Sequence, residues 1–132
     1  MKTLGARGAR ITGARSGSGL ACAKALAQDG CKRVIASQNA ERLARAEEGL
    51  ASLGAEVLAV PTDVEKRDEV ERLADLTLEH YGAVHILVNN AGVYTPGFAW
   101  EVPREEGEWV IGVNRWGPVN GIQAFTPHLL AQ

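Results

Sequence analysis

Short apolar runs alternate with longer amphipathic segments along most of the chain. The runs that predict strands cover residues 9–12, 32–36, 56–60 and 84–88. They are short and rich in aliphatic residues, as buried parallel strands are. The segments that predict helices between them cover residues 20–28, 39–54 and 65–81. The resulting βαβαβαβ order is typical of an α/β fold, with a parallel sheet, right-handed crossovers and helices on both faces.

The second predicted helix has the clearest internal pattern. Asn39 opens it, and its inward face is predicted to carry Leu43, Ala46, Leu50 and Leu53. Glu41 and Arg45 stand four residues apart on another face, a spacing that allows an ion pair. Gly54 follows the last apolar residue and is predicted to end the helix.

Two further helical segments complete the pattern. The third helix is predicted to turn Val70, Leu73 and Leu76 inward and to end at Gly82. After the fourth strand, residues 93–104 read as a loop because they contain prolines and glycines. A helix then runs through Trp109 to Asn114 and on to Leu130, with Pro118 predicted near a helix start or kink.

One residue conflicts with this pattern. Arg10 stands inside the first predicted strand, where a central parallel strand should be apolar on both faces. We therefore expect weaker packing around the first strand than an apolar residue would give.

Composition supports one globular domain covering residues 1–132, with 45% hydrophobic and 23% charged residues. A formal net charge of -2 gives no basic face for nucleic acid. No apolar run approaches the roughly 20 residues that span a bilayer, so we expect a soluble, cytoplasmic protein without membrane contact. Cys22 and Cys31 lack a CxxC spacing or a nearby histidine partner, so no metal site is expected.

The most informative stretch is residues 12–19, which reads TGARSGSG between a predicted strand and a predicted helix. Three glycines in eight residues allow the backbone to approach another group closely. A helix that begins there would point its first amides at an anion such as a phosphate. A dinucleotide is one interpretation, and a plain tight turn is the other.

Further motifs follow in order: PTDV at 61–64, NNAG at 89–92 and VN at 113–114. With the glycine stretch, they resemble the classical short-chain dehydrogenase/reductase family, and the match corresponds to the N-terminal half of such an enzyme. The extended branch of the family would have glycine at position 16, where this chain has Ser16. Ser18, between the last two glycines, departs from the usual apolar residue. The resemblance implies a Rossmann-like doubly wound sheet, here truncated to about four strands in the order 3-2-1-4.

The resemblance also implies residue roles. The glycines would border the adenosine ribose and pyrophosphate of the cofactor, Asp63 and Val64 the adenine, and the NNAG loop the nicotinamide ribose. Asn114 corresponds to the asparagine of the catalytic tetrad, which holds a water of the proton relay. The expected cofactor-binding residues are Gly13, Arg15, Ser16, Gly17, Gly19, Ser37, Gln38, Asp63, Val64, Asn89, Ala91 and Gly92.

The cofactor is expected to be NADP rather than NAD. An NAD site of this kind carries a carboxylate at the end of the second strand, where this chain has Ser37 and Gln38. Without that carboxylate a 2′-phosphate is not repelled, and Arg15 in the glycine loop adds positive charge. NAD is the alternative.

The catalytic serine and the YxxxK motif of the family are missing from these 132 residues. Tyr81 and Tyr94 have His85 and Phe98 four positions on, rather than lysine. We therefore expect a cofactor-binding half that is inactive alone. The complete enzyme would act on a small-molecule alcohol or carbonyl compound.

The predicted strand at 84–88 would form an exposed apolar edge, unless more chain or a partner covers it. We favour a longer natural chain. The alternatives are a non-catalytic nucleotide-binding or dimerisation module, in which a homo-oligomer would form, and a decayed fragment.

Overall fold

The computed structural model describes residues 7–132, so residues 1–6 of the predicted domain lie outside the described part. Its strands are β1 (Gly8–Thr12), β2 (Lys32–Ser37), β3 (Val57–Pro61) and β4 (Ile86–Val88). Its helices are α1 (Gly17–Gln28), α2 (Ala40–Ala51), α3 (Arg67–Tyr81), α4 (Arg104–Ile111) and α5 (Gly117–Leu130). A π-helix, Gly112–Trp116, joins α4 to α5.

The four strands form one parallel sheet in the order β3-β2-β1-β4, as the sequence predicted. Two apolar cores cover its faces. On one face, Ile11 and Ile35 pack with buried residues of α1 and α2. On the other, Val34 packs with buried residues of α3 and with Phe125 of α5. The alternating directions of strand side chains thus place helices on both faces of the sheet.

Several predicted boundaries were wrong. The α1 helix begins at Gly17 rather than at residue 20, so two glycines of the loop belong to its first turn. Helix α3 begins at Arg67 rather than at residue 65. The fourth strand is shorter than predicted and starts at Ile86, while the irregular segment after it begins at residue 89 rather than at 93.

The second helix follows its predicted pattern except at its end. Asn39 is the N-cap, and its Oδ1 accepts a hydrogen bond from the amide of Arg42 at 2.9 Å. The prediction for Leu53 was wrong, because α2 ends at Ala51 and Leu53 is 63% exposed. The chain turns outward there, and Gly54, with a φ of 76°, lies in that turn.

Arg10 is buried inside β1, and its side chain is well bonded. Its guanidinium donates to Thr77 Oγ1 at 2.8 Å, to the carbonyl of Ala9 at 2.8 Å and to that of Ala83 at 3.1 Å. The ring of Tyr81 lies 5.3 Å from the guanidinium carbon. Burial lowers the pKa of Arg10 to about 10, so the side chain remains charged at pH 7. A charge in the strand is tolerated because α3 and its connection to β4 supply its acceptors.

Strand β4 lies at one end of the described sheet and pairs only with β1. Ile86, Leu87 and Val88 are each half-buried. Leu87 packs on the core under α3 and α5, and Val88 on the core under α1 and α2. Between residues 7 and 132, none of the helices has the length and apolar character needed to cross a bilayer.

Candidate functional site

The predicted site residues gather where the carboxyl ends of the parallel strands meet. A cleft of about 370 Å³ opens there. Its lining includes nine predicted residues: Gly13, Arg15, Ser16, Ser37, Gln38, Asp63, Val64, Ala91 and Gly92. Open α/β sheets bind ligands at such a position: outside the carboxyl ends of neighbouring strands whose connections leave to opposite faces of the sheet.

The turn after β1 holds the backbone close to its neighbours. Gly13 has a φ of 66°, and its amide donates to the carbonyl of Ala36 at 2.8 Å. A Cβ on Gly13 would lie 2.8 Å from Cα of Ala91, so no larger residue fits without a shift of the backbone. Gly17 also has a positive φ, 57°, but open space surrounds its missing side chain. That space lies at the first turn of α1.

The N-terminus of α1 is suited to an anion. Ser16 is the N-cap residue, yet its side chain makes no capping hydrogen bond. The first turn carries no acidic side chain. The first amides of a helix have no partner within the helix and carry a partial positive charge. Because neither a side-chain cap nor a carboxylate serves them here, these amides can bind an anion that enters the cleft.

Gly19 has a different role from the other two glycines. It does not line the cleft, and it is buried in the first turn of α1. A Cβ on Gly19 would lie 2.5 Å from Nδ2 of Asn90 and 2.7 Å from the carbonyl oxygen of Gly13. Its lack of a side chain therefore allows α1 to pack tightly against the turn and the NNAG loop, which fixes the helix over the cleft.

A hydrogen-bonded clamp joins the end of β1 to the NNAG loop. Thr12 Oγ1 accepts from the amides of Asn90 at 3.0 Å and Ala91 at 3.1 Å. In return, Nδ2 of Asn90 donates to the carbonyl of Thr12 at 3.1 Å. Thr12 and Asn90 were not predicted as site residues, although both stand inside the quoted motifs. Their role depends on a contact between segments about 78 positions apart, which the sequence alone does not show.

The far wall of the cleft is formed by the ends of β2 and β3. Asp63 accepts a hydrogen bond from Nε2 of Gln38 at 3.2 Å and one from the amide of Glu65 at 3.1 Å. The Asp63 side chain is only 12% exposed. Ser37 is also buried at the cleft surface. This wall therefore presents a fixed carboxylate, an amide and a hydroxyl within one small area.

Glu69 supports the segment that carries Asp63. Its Oε2 accepts from the Asp63 amide at 2.7 Å, and this bond, aided by Lys66, lowers the pKa of Glu69 below its usual 4.5. A carboxyl with a lowered folded-state pKa contributes stability above its unfolded pKa and loses that contribution as the pH falls through the folded one. The Glu69 contribution is therefore expected at neutral pH and lost in the acid range below about pH 4.5.

We expect Glu69→Gln to reduce the free energy of unfolding by about 0.5–1 kcal/mol at pH 7, because a neutral amide is a weaker acceptor than a carboxylate. The difference from the wild type should shrink towards pH 3. Urea unfolding at both pH values measures it. Glu71→Gln is the matched control, since Glu71 pairs with Arg67 on the exposed face of the same helix. Equal effects of the two variants at pH 7 would contradict the expectation.

Asn114 lies in the π-helix and fastens the segment after the NNAG loop. Its Oδ1 accepts from the amide of Val93 at 2.8 Å, and its Nδ2 donates to the carbonyl of Val93 at 2.7 Å. Val93 lines the cleft, whereas Asn114 does not. A π-helix often marks a functional position, because its wider turn displaces one residue from the α-helical register.

The structure also places residues in the cleft that the sequence analysis did not select: Ser18, Thr62, Asn90, Val93, Trp109 and Val113. Among them, Trp109 brings an aromatic ring from α4. A spacing argument could not find it, since its approach depends on how α4 packs. Asn89, by contrast, is absent from the lining. A Cβ on Gly121 would meet its Oδ1, which places this side chain against α5.

Other clefts and metal ligands add no competing site in the described part of the chain. A cleft of about 590 Å³ between β3 and α3 contains none of the predicted residues. Among residues 7–132, no three His, Cys, Asp or Glu side chains are grouped to hold a metal ion.

Comparison with known proteins agrees with this geometry. A family profile described as short chain dehydrogenase matches residues 7–132. The 1-deoxy-11-beta-hydroxypentalenate dehydrogenase of Streptomyces exfoliatus is 40% identical over 129 residues, which are 96% of this chain and 47% of that protein. The chain thus spans about half the length of the curated relatives it matches.

Solved structures give the same result. A short chain dehydrogenase/reductase from Burkholderia phymatum in complex with NAD superimposes with a TM-score of 0.97 at 44% identity, over 100% of this chain and 47% of that one. An alcohol dehydrogenase from the archaeon Thermococcus sibiricus, complexed with 5-hydroxy-NADP, superimposes with a TM-score of 0.88 at 35% identity. It covers 93% of this chain and 53% of the archaeal one. Structural relatives therefore include complexes with both kinds of nicotinamide cofactor.

Proposed function

The chain belongs to the short-chain dehydrogenase family, and from this premise we propose that it forms the cofactor-binding part of an NAD(P)-dependent oxidoreductase. The single observation that carries the proposal is the uncapped N-terminus of α1 at the cleft. A pyrophosphate is the group that such a helix end best accommodates. The proposed unit is one Rossmann-like domain formed by residues 1–132.

The roles proposed for the cleft are those that the family resemblance implies, and most of the residues concerned line the cleft. Gly13 and Gly17 border the pyrophosphate, and the open space at Gly17 leaves room for it. The missing side chains of Gly13 and Gly19 let the turn and α1 pack against the NNAG loop. Asp63 accepts from the exocyclic amino group of adenine, with Val64 beside the ring. Ala91 and Gly92 border the nicotinamide ribose, and Arg15 and Ser16 contact the phosphates or the adenosine ribose.

The bound cofactor would supply hydride transfer to a carbonyl compound or from an alcohol. The residues of this chain would bind and orient it. Asn114 fixes Val93 and the loop that lines the cleft, and we assign the water-holding role of the tetrad to it. The serine and the YxxxK motif that would move the proton are missing from these 132 residues. We therefore assign turnover to the whole protein and expect none from this chain alone.

The first experiment is a titration of the purified chain with NADPH, NADH and, as a negative control, nicotinamide mononucleotide. Trp109 lines the cleft, so quenching of tryptophan fluorescence reports binding. Calorimetry is the independent second measurement. Saturable binding of either dinucleotide supports the proposal. Absence of saturable binding at millimolar dinucleotide would refute it for this chain. A dimer without cofactor binding would favour the non-catalytic module.

We further propose that NADP is preferred over NAD. Ser37 and Gln38 stand at the end of β2, so this strand end brings no carboxylate against a 2′-phosphate. The buried Ser37 is part of the cleft lining and can donate a hydrogen bond to a 2′-phosphate, and Arg15 lies in the same lining. Asp63 weakens this preference for NADP, because its carboxylate accepts a hydrogen bond from Gln38 at 3.2 Å and so brings a negative charge close to the end of β2. The expected preference is accordingly modest.

Ser37→Asp is expected to reverse this preference. A carboxylate at the end of β2 would repel the 2′-phosphate of NADP and accept from the ribose hydroxyls of NAD. We expect affinity for NADP to fall about tenfold while affinity for NAD stays the same or rises. Calorimetric titration with both cofactors measures the ratio. Ser37→Asn is the matched control, since asparagine is nearly the same size as aspartate but carries no charge. An unchanged NADP-to-NAD ratio in Ser37→Asp would contradict the assignment of this position.

A further inference from the structure

A junction between α5 and the segment that carries Asp63 lies outside the cleft. Residues 62–66 connect β3 to α3, and we call them the adenine segment. Asn120 of α5 is buried, and its Nδ2 donates to the carbonyl of Val64 at 2.9 Å and of Glu65 at 3.4 Å. These bonds connect positions about 56 residues apart. These two hydrogen bonds connect the wall of the cleft formed by the adenine segment to α5.

Two glycines bring the same surfaces together. A Cβ on Gly117 would lie 2.8 Å from Cγ2 of Val64, and one on Gly112 would meet the carboxylate of Glu65. Gly112 opens the π-helix and Gly117 opens α5. The absence of side chains at both positions allows the adenine segment to lie directly on this helix. At this close contact, the carbonyls of Val64 and Glu65 point at α5, where Asn120 donates to them.

Asn120 is the buried side chain of α5 that supplies this donor. The other hydrogen bonds of the adenine segment are made within it, with the first turn of α3 or with the ends of β2 and β3. The Glu65 amide bonds Asp63 at 3.1 Å, the Asp63 amide bonds Glu69 at 2.7 Å, and the Thr62 amide bonds the carbonyl of Ser37 at 3.0 Å. None of these fixes the segment relative to α5. The Asn120 amide does.

We propose that Asn120 is a positioning residue for the cofactor: it holds the adenine segment against α5, so that Asp63 and Val64 face the adenine ring. This inference rests on the proposed function, since it takes Asp63 to contact adenine. Because the π-helix that carries Asn114 runs directly into α5, Asn120 is connected through it to the other end of the proposed cofactor site. Asn120 does not itself line the cleft, and it reaches the cleft wall only through the backbone carbonyl of Val64.

The test compares Asn120→Leu, which keeps the branched shape with larger methyl groups and removes the donor, with Gln123→Leu, which removes an exposed amide from the same helix. Two readouts are measured: amide hydrogen exchange of residues 62–66 without ligand, and NADP affinity by calorimetry. We expect Asn120→Leu to speed exchange of the adenine segment about tenfold and to weaken NADP about tenfold. Gln123→Leu should change neither. Exchange and affinity equal to those of the control would overturn the proposal.

A double-mutant cycle with Asp63→Ala separates positioning from general destabilisation. If Asn120 acts through Asp63, Asn120→Leu should weaken NADP less than twofold in the Asp63→Ala background. Fully additive losses would mean that Asn120 merely supports the fold, and would also overturn the proposal. Asn120→Ala, which also removes the donor but adds no bulk, replaces Asn120→Leu in both arms if the leucine variant does not fold. A wild-type chain that binds no dinucleotide would refute the proposed function, while the exchange readout would still test the junction.

Discussion

Gly19→Ala is expected to be among the most damaging single-methyl changes in this chain. The added Cβ would lie 2.7 Å from the carbonyl oxygen of Gly13 and 3.0 Å from Cα of Ala14. These are backbone atoms and cannot rotate away, so α1 would have to move off the turn. Overpacking of a rigid site costs up to about 3 kcal/mol and occasionally more. Urea unfolding should show a loss of this size, and NADP binding should fall below detection because the helix N-terminus shifts.

Two other glycines serve as controls for this prediction. Gly49 lies inside α2 with open space around it, so Gly49→Ala should stabilise the chain by about 0.5–1 kcal/mol through better helix propensity. Gly17 also has open space but a φ of 57°, so Gly17→Ala should cost about 1 kcal/mol from backbone strain alone. A Gly19→Ala variant no less stable than Gly17→Ala would contradict the close packing of α1.

The sequence predicted the sheet well because the strands are short apolar runs separated by amphipathic helices. The parallel pairing and the helices on both faces, which this pattern predicted, and the strand order, which the family resemblance implied, all agree with the structure. Helix starts were less predictable. Gly17 and Gly19 are poor helix formers, so propensity placed the start of α1 too late. In the structure, Gly19 packs closely against Asn90 within the first turn of α1, a contact between distant segments that helix propensity does not include.

The charged residues of the sheet show a second limit of sequence reasoning. Arg10 was noticed as a conflict, but its partners Thr77 and Ala83 lie about 70 positions away. The burial of Arg33, which is 1% exposed, was not predicted. Arg33 stands near the start of β2, where a charged side chain commonly reaches solvent. Whether a strand charge is bonded depends on helices that a local pattern does not place.

The candidate site was predictable to the extent that its residues stand in contiguous motifs. Nine expected residues line one cleft, because strand ends of a parallel sheet converge. The side chains that hold those motifs together were missed. Asn120 and Trp109 belong to helices whose approach depends on Gly112 and Gly117, and no spacing rule relates them to the cleft.

Thr12→Val is expected to show how much the clamp between β1 and the NNAG loop contributes. Valine has nearly the same shape as threonine but cannot accept the amide hydrogen bonds of Asn90 and Ala91. Each buried donor left without an acceptor costs about 1–3 kcal/mol. Because both amides are only partly buried, we expect a total loss of about 2–3 kcal/mol in the free energy of unfolding, measured by urea denaturation.

The clamp should also affect the cleft, since Ala91 and Gly92 line it. Once the loop is released from Thr12, its backbone can sample other positions, and we expect NADP affinity to fall about tenfold. Thr12→Ser is the matched control because it keeps the acceptor and removes only the methyl group. It should retain most of the affinity and lose less than about 1 kcal/mol. If the serine and valine variants were equally destabilised, packing of the methyl group rather than the hydroxyl would hold the loop, and the clamp would have to be abandoned.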